Sequence, residues 1–177
     1  DWVIISDCDE IINPNHIDFA LNVARNTPNH IIKLPLINLY GRADLRPYRR
    51  DGTPFIWRTA MSLCQQKVIA QTTPHRIRCE YACPLECVKP TLDGEIFDEF
   101  GWHFSWQGGR DRVLTKSASY GHAYNVGHQE HARRGFHFEE GKPLSWDEDS
   151  VLVRFPHDQL PQILFDLPRV KQVLLPS

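Results

Sequence analysis

The chain has 177 residues, 41% of them hydrophobic, and its 20 basic and 22 acidic residues leave a formal charge of −2. That length and apolar content suit one domain over residues 1–177 with a real core, and exclude a disordered chain. The near-neutral balance gives no electrostatic case for nucleic acid or an anionic membrane surface as a partner, and no apolar run approaches the roughly 20 residues of a membrane span.

The chain opens on Trp2-Val3-Ile4-Ile5-Ser6-Asp7-Cys8-Asp9-Glu10, an apolar β-branched run that stops at three acids. It predicts an interior strand in a sheet covered on both faces, with Asp7 and Asp9 at the carboxyl end where such sheets hold ligands. A hard divalent ion, Mn²⁺ or Mg²⁺, takes one or two protein carboxylates when phosphate oxygens and water complete its shell, so the pair suits a diphosphate-bearing substrate. The plainer alternative is that either acid closes a turn. A central strand this close to residue 1 also suggests a C-terminal fragment of a longer catalytic domain.

Asn13-Pro14 predicts a helix start, with Ile17, Ala20, Leu21 and Ala24 at helical spacing and Asn26-Thr27-Pro28 as the stop. Ile31 to Tyr40 predicts a strand with a bulge or edge at Pro35. The segment from Gly41 to Pro54, carrying Arg42, Arg46, Arg49 and Arg50, predicts a solvated charged loop; an anion site is the alternative. Ile56 to Ala70 predicts one or two strands, and Thr72 to Asp93 an irregular insert. Five cysteines, an odd number, argue against a disulfide framework. Cys79, Cys83 and Cys87 are spaced for buried or partly paired thiols, with a zinc site completed by His75 as the alternative.

Gly101-Trp102-His103-Phe104-Ser105-Trp106-Gln107-Gly108-Gly109-Arg110-Asp111 predicts a short strand with one aromatic and one polar face, broken by glycines and followed by a helix. Aromatic stripes form core or hold sugar rings. Asp111 falls in the first helical turn, where the macrodipole favours an acid, and His122 falls at the carboxyl end of that helix, as a cap or a metal ligand. The stretch from Gly127 to Pro143, with His128, His131 and His137, predicts a surface loop, with a second metal site as the alternative.

These features occur in a recognisable order. Ser6-Asp7-Cys8-Asp9-Glu10 after an apolar strand, Asn38-Leu39-Tyr40-Gly41, the Gly101–Trp106 block with Gly108-Gly109 and Asp111, Lys116, His122 with Tyr124-Asn125, and the tail from Leu160-Pro161 to Leu167-Pro168-Arg169-Val170 resemble glycosyltransferase family 17 over most of the chain. That is the family of the β-1,4-mannosyl-glycoprotein N-acetylglucosaminyltransferases. The resemblance implies an α/β fold of GT-A type, lacking its N-terminal nucleotide-binding strands. It also implies a metal-dependent inverting transfer of a sugar, N-acetylglucosamine in the named members, from a nucleotide-sugar donor to a glycan acceptor hydroxyl. By position, Asp7, Asp9 and His122 would ligate the ion. Trp102, His103, Trp106 and Lys116 would contact substrate, and Asp111, with Glu99 in reserve, would be the base that inversion requires.

The cysteine insert and the histidine-rich stretch depart from the family pattern. Two other readings compete: a non-catalytic carbohydrate-binding remnant, and a phosphatase of haloacid-dehalogenase type with Asp7 as nucleophile and Trp146-Asp147-Glu148-Asp149 as its late acidic motif. Ile11 and the otherwise idle Gly-Trp-His block weigh against the phosphatase. The unpaired cysteines and the lack of a visible anchor favour the cytoplasm, whereas animal family members work in the secretory lumen.

Overall fold

The computed structural model describes residues 1–57, 61–78, 85–119, 138–144 and 147–166, less the side chains of residues 109, 110, 117, 119, 147 and 148. In chain order the strands are β1 (Trp2–Ile5), β2 (Glu10–Ile12), β3 (Ile31–Lys33), β4 (Leu36–Tyr40), β5 (Leu45–Arg49), β6 (Ile56–Trp57), β7 (Ser62–Gln65), β8 (Cys87–Val88), β9 (Thr91–Leu92), β10 (Glu95–Ile96), β11 (Gly101–Ser105), β12 (Pro143–Leu144) and β13 (Asp147–Arg154). The helices are α1 (Ile17–Asn26), α2 (Gln66–Ile69), α3 (Pro74–Arg78), α4 (Gly109–Ser119) and α5 (Ile163–Asp166). The architecture is mixed α/β with four small sheets among the described residues. The chain divides into two compact units, Asp1–Ile37 with Ile56–His103, and Asn38–Phe55 with Phe104–Ser177. No helix among the described residues is long and apolar enough to cross a membrane.

In the first unit one sheet runs β1-β7-β3-β8. Leu63 of β7 lies between Ile4 and Ile32, antiparallel to both, and β3 pairs parallel with β8. Among the described residues β1 is therefore the edge of its sheet, with Ile4 41% exposed, where its apolar run suggests an interior strand. Four apolar residues fit either setting, because a run this short lacks the length to reveal which face is open.

Asn13 caps the next element, its side-chain oxygen accepting from the Asn15 amide at 3.1 Å, and Pro14 opens a 3₁₀ turn before α1 begins at Ile17. Ala20 and Ala24 press on Ile32, Leu34, Leu36, Met61, Leu63 and Phe100 to make this unit's main core. Their small side chains let the helix lie close to the strands. The expected strand from Ile31 to Tyr40 is two strands in two sheets, parted at Leu34-Pro35. Pro35 has no N–H for a ladder, and its carbonyl instead accepts from the Phe100 amide at 3.3 Å. The second sheet runs β2-β11-β4-β6 and carries the Glu10, His103 and Trp57 side chains.

In the second unit β5, β13 and β12 form an antiparallel sheet, with Leu45 opposite Arg154 and Arg49 opposite Ser150. The arginine-rich stretch thus holds a strand where a loop was expected. Its charge is absorbed locally. Arg46 is buried with its guanidinium 5.5 Å from the Tyr48 ring and 5.8 Å from that of Phe155, and Arg42 grips Asp44. Tyr40, Leu45, Leu144 and Leu152 form the core, joined by Trp106 and Phe138. Gly41 has φ +71°, and a Cβ there would lie 1.8 Å from the Phe138 ring, so glycine answers both the turn and the packing.

Candidate functional site

The acidic tip is a turn between β1 and β2 in the first unit. Glu10, the first residue of β2, ties it down: one carboxylate oxygen accepts from the Asp7 amide at 2.9 Å, and the Glu10 amide donates back to the Asp7 carbonyl at 3.3 Å. The other oxygen accepts from the Trp57 indole N–H at 3.3 Å. Trp57 in turn stacks on His103, rings 4.3 Å apart and 14° from parallel. His103 lies opposite Glu10 in the β2–β11 register, and its Nε2 is 3.9 Å from an Asp9 oxygen. The strands can approach here because residue 101 is glycine: a Cβ there would meet the Ile11 carbonyl at 2.1 Å.

The ionisation of Glu10 reflects its enclosure. Burial pushes its pKa from an ordinary 4.5 up to about 7; the Asp7 amide and the Arg78 charge oppose that rise, and the charges of Asp7 and Asp9 add to it. Asp7 and Asp9 differ from Glu10 in access, with side chains 43% and 24% exposed. Asp7 also pairs with the Arg78 guanidinium.

Among the described residues no group of three or more His, Cys, Asp or Glu is arranged to hold a metal ion. His122, the third ligand that the family resemblance implies, lies outside the described residues. Asp7 and Asp9 by themselves fit a Mg²⁺- or Mn²⁺-like ion whose remaining ligands are phosphate oxygens and water, since such an ion needs only one or two carboxylates.

His103 is buried beside the tip, and Glu99 is exposed in the same unit. Trp102 and Phe104 are 7% and 5% exposed, so their rings are core in this conformation, and the polar face of β11 is buried as well. Asp111 is exposed in the first turn of α4, in the second unit. Trp106 and Lys116 belong to that unit too, the ammonium 5.5 Å from the indole centroid. Trp106 has φ +56°, a left-handed conformation that a bulky residue rarely adopts. Cys87 is half-buried on β8, Cys8 is exposed and Cys64 is buried. Cys79, Cys83, Tyr124, Asn125, His128, His131, His137, Trp146 and the Leu167–Val170 tail lie outside the described residues.

Sequence reasoning gave no role to Glu10, Trp57, Arg78 or Lys33. Only Glu10 carried a signal, as a third acid abutting Asp7 and Asp9; the rest come from distant segments that nothing in local spacing connects. Comparison with known proteins adds no relative, for no family model, curated protein or solved structure matches the chain.

Proposed function

We propose that the chain is a metal-dependent inverting glycosyltransferase that moves a sugar, N-acetylglucosamine by family resemblance, from a nucleotide-sugar donor to a glycan acceptor hydroxyl. The observation that carries this reading is the pair of accessible carboxylates, Asp7 and Asp9, on a turn clamped by Glu10 beside the Trp57–His103 stack. A hard ion bound there supplies charge neutralisation for the departing diphosphate. Asp7 and Asp9 would hold it, Glu10 fixes the turn that carries them, and buried His103 lies beside Asp9. The family resemblance assigns the base that takes the acceptor proton to Asp111, with Glu99 in reserve.

The test is a transfer assay over a panel of nucleotide sugars with Mn²⁺, reading release of nucleoside diphosphate. Asp111 is exposed, so Asp111→Asn should fold and bind donor yet lose roughly 10²- to 10⁴-fold in rate, the usual worth of a general base. The same loss in Glu99→Gln with normal Asp111→Asn would move the role to Glu99. Hydrolysis of simple phosphate esters without sugar transfer would favour the phosphatase, and sugar binding indifferent to metal the non-catalytic remnant.

A further inference from the structure

Arg78 is the last residue of α3, and its two ends are engaged by different partners. Its carbonyl accepts from the Lys33 ammonium at 3.0 Å, and Lys33, fully buried, also reaches the Ile77 carbonyl and, at 3.2 Å, the Ser62 hydroxyl. A buried cation thus fastens the carboxyl end of a five-residue helix that would otherwise fray. The Arg78 guanidinium, 25% exposed, pairs with Asp7, while its buried Nε has no hydrogen-bond partner among the described residues. The backbone is fixed, the head group is within reach of solvent, and its donor set is only partly used.

Resting on the transferase reading above, we infer that Arg78 is the resident counter-cation of Asp7 and exchanges that ion pair for one with the donor diphosphate when a divalent ion takes the Asp7 carboxylate. The exchange keeps charge balanced at each stage. Before the ion arrives the guanidinium offsets Asp7, the carboxylate closest to it; afterwards the ion does so, and the planar N–H fork meets phosphate oxygens, for which its geometry is suited.

Two titrations separate the two halves of this role: Mn²⁺ alone, and inorganic pyrophosphate at saturating Mn²⁺. In Arg78→Gln, loss of the competing cation should tighten Mn²⁺ binding by about two- to fivefold, the scale of a partly exposed ion pair. Pyrophosphate should weaken at least about tenfold, the scale of a charge-assisted hydrogen-bonded contact. Arg78→Lys keeps a charge without the fork, so Mn²⁺ affinity should stay within about twofold of wild type and pyrophosphate should fall between the other two. Pyrophosphate bound equally by wild type and Arg78→Gln, or Mn²⁺ bound more weakly by that variant, overturns the exchange while leaving the metal site standing. Wild type that binds no Mn²⁺, either alone or together with pyrophosphate, removes the transferase reading and the exchange with it.

Discussion

Glu10 in the first unit and Asp44 in the second are both buried carboxylates, 8% and 1% exposed, and their ionisation runs in opposite directions. Burial would push both up. At Asp44 the Arg42 fork, at 2.9 and 3.1 Å, and the Arg154 guanidinium outweigh it and hold the carboxyl below its ordinary range. At Glu10 the two bonded donors are an amide and an indole, both neutral, and burial wins, to about 7. Asp44 is a clamp: it joins the start of β5 to the end of β13 and is satisfied. Glu10 is enclosed beside two further acids at a cost in stability, and folds tolerate such costs mainly where a site needs them.

The largest effect expected from this contrast is at Asp44. Asp44→Ala leaves Arg42 and Arg154 without their shared acceptor and should cost about 3 kcal/mol in urea unfolding at pH 7, the low end for a broken buried pair because both arginines reach water. Its stabilisation is present above the ordinary carboxylate range and is lost as pH falls through its lowered folded value. A loss below about 1 kcal/mol would reduce Asp44 to a surface-type pair and erase the contrast.

Glu10 should behave with the opposite sign. Its folded pKa of about 7 exceeds the ordinary 4.5, so the folded state binds the extra proton, and stability should fall as pH rises between those values by roughly 3 kcal/mol in metal-free protein. Glu10→Gln, which carries no charge, should be nearly flat across that window. Giving up one acceptor should leave it about 1 kcal/mol less stable than wild type at the acid end, and more stable than wild type at pH 8. Parallel curves for the two proteins would mean that Glu10 is ionised and neutralised in the fold, as Asp44 is.

Much of the local structure was legible because it rests on local rules. Asn13-Pro14 marks a helix entry through capping and fixed φ, and Ala20 and Ala24 fall on the buried face that their spacing indicates. Gly101 to Ser105 is a strand. What spacing did not reveal is which neighbours a segment meets. The four residues of β1 are compatible with an interior or an edge position, and β5 was obscured by arginines whose stems and charges are absorbed by Tyr48, Phe155 and Asp44. The alternation in β11 indicated one aromatic and one polar face but not that both are covered: His103 and Ser105 are buried as well, with the Trp57 ring lying over His103. The candidate site divides along the same line. Asp7 and Asp9 were visible as a motif, whereas Arg78 and Trp57 reach the turn from 71 and 47 residues away.

The most direct measurement is calorimetric titration of a nucleotide-sugar panel into wild type and Asp9→Asn, with and without Mn²⁺. Asp9 is partly exposed at a turn, so the variant should melt as wild type does. At least one nucleotide sugar should bind the wild type only when Mn²⁺ is present, and that binding should vanish in Asp9→Asn. Mn²⁺-dependent binding that survives in Asp9→Asn, or a panel that fails to bind wild type in Mn²⁺, would contradict a metal-and-diphosphate site at the acidic tip.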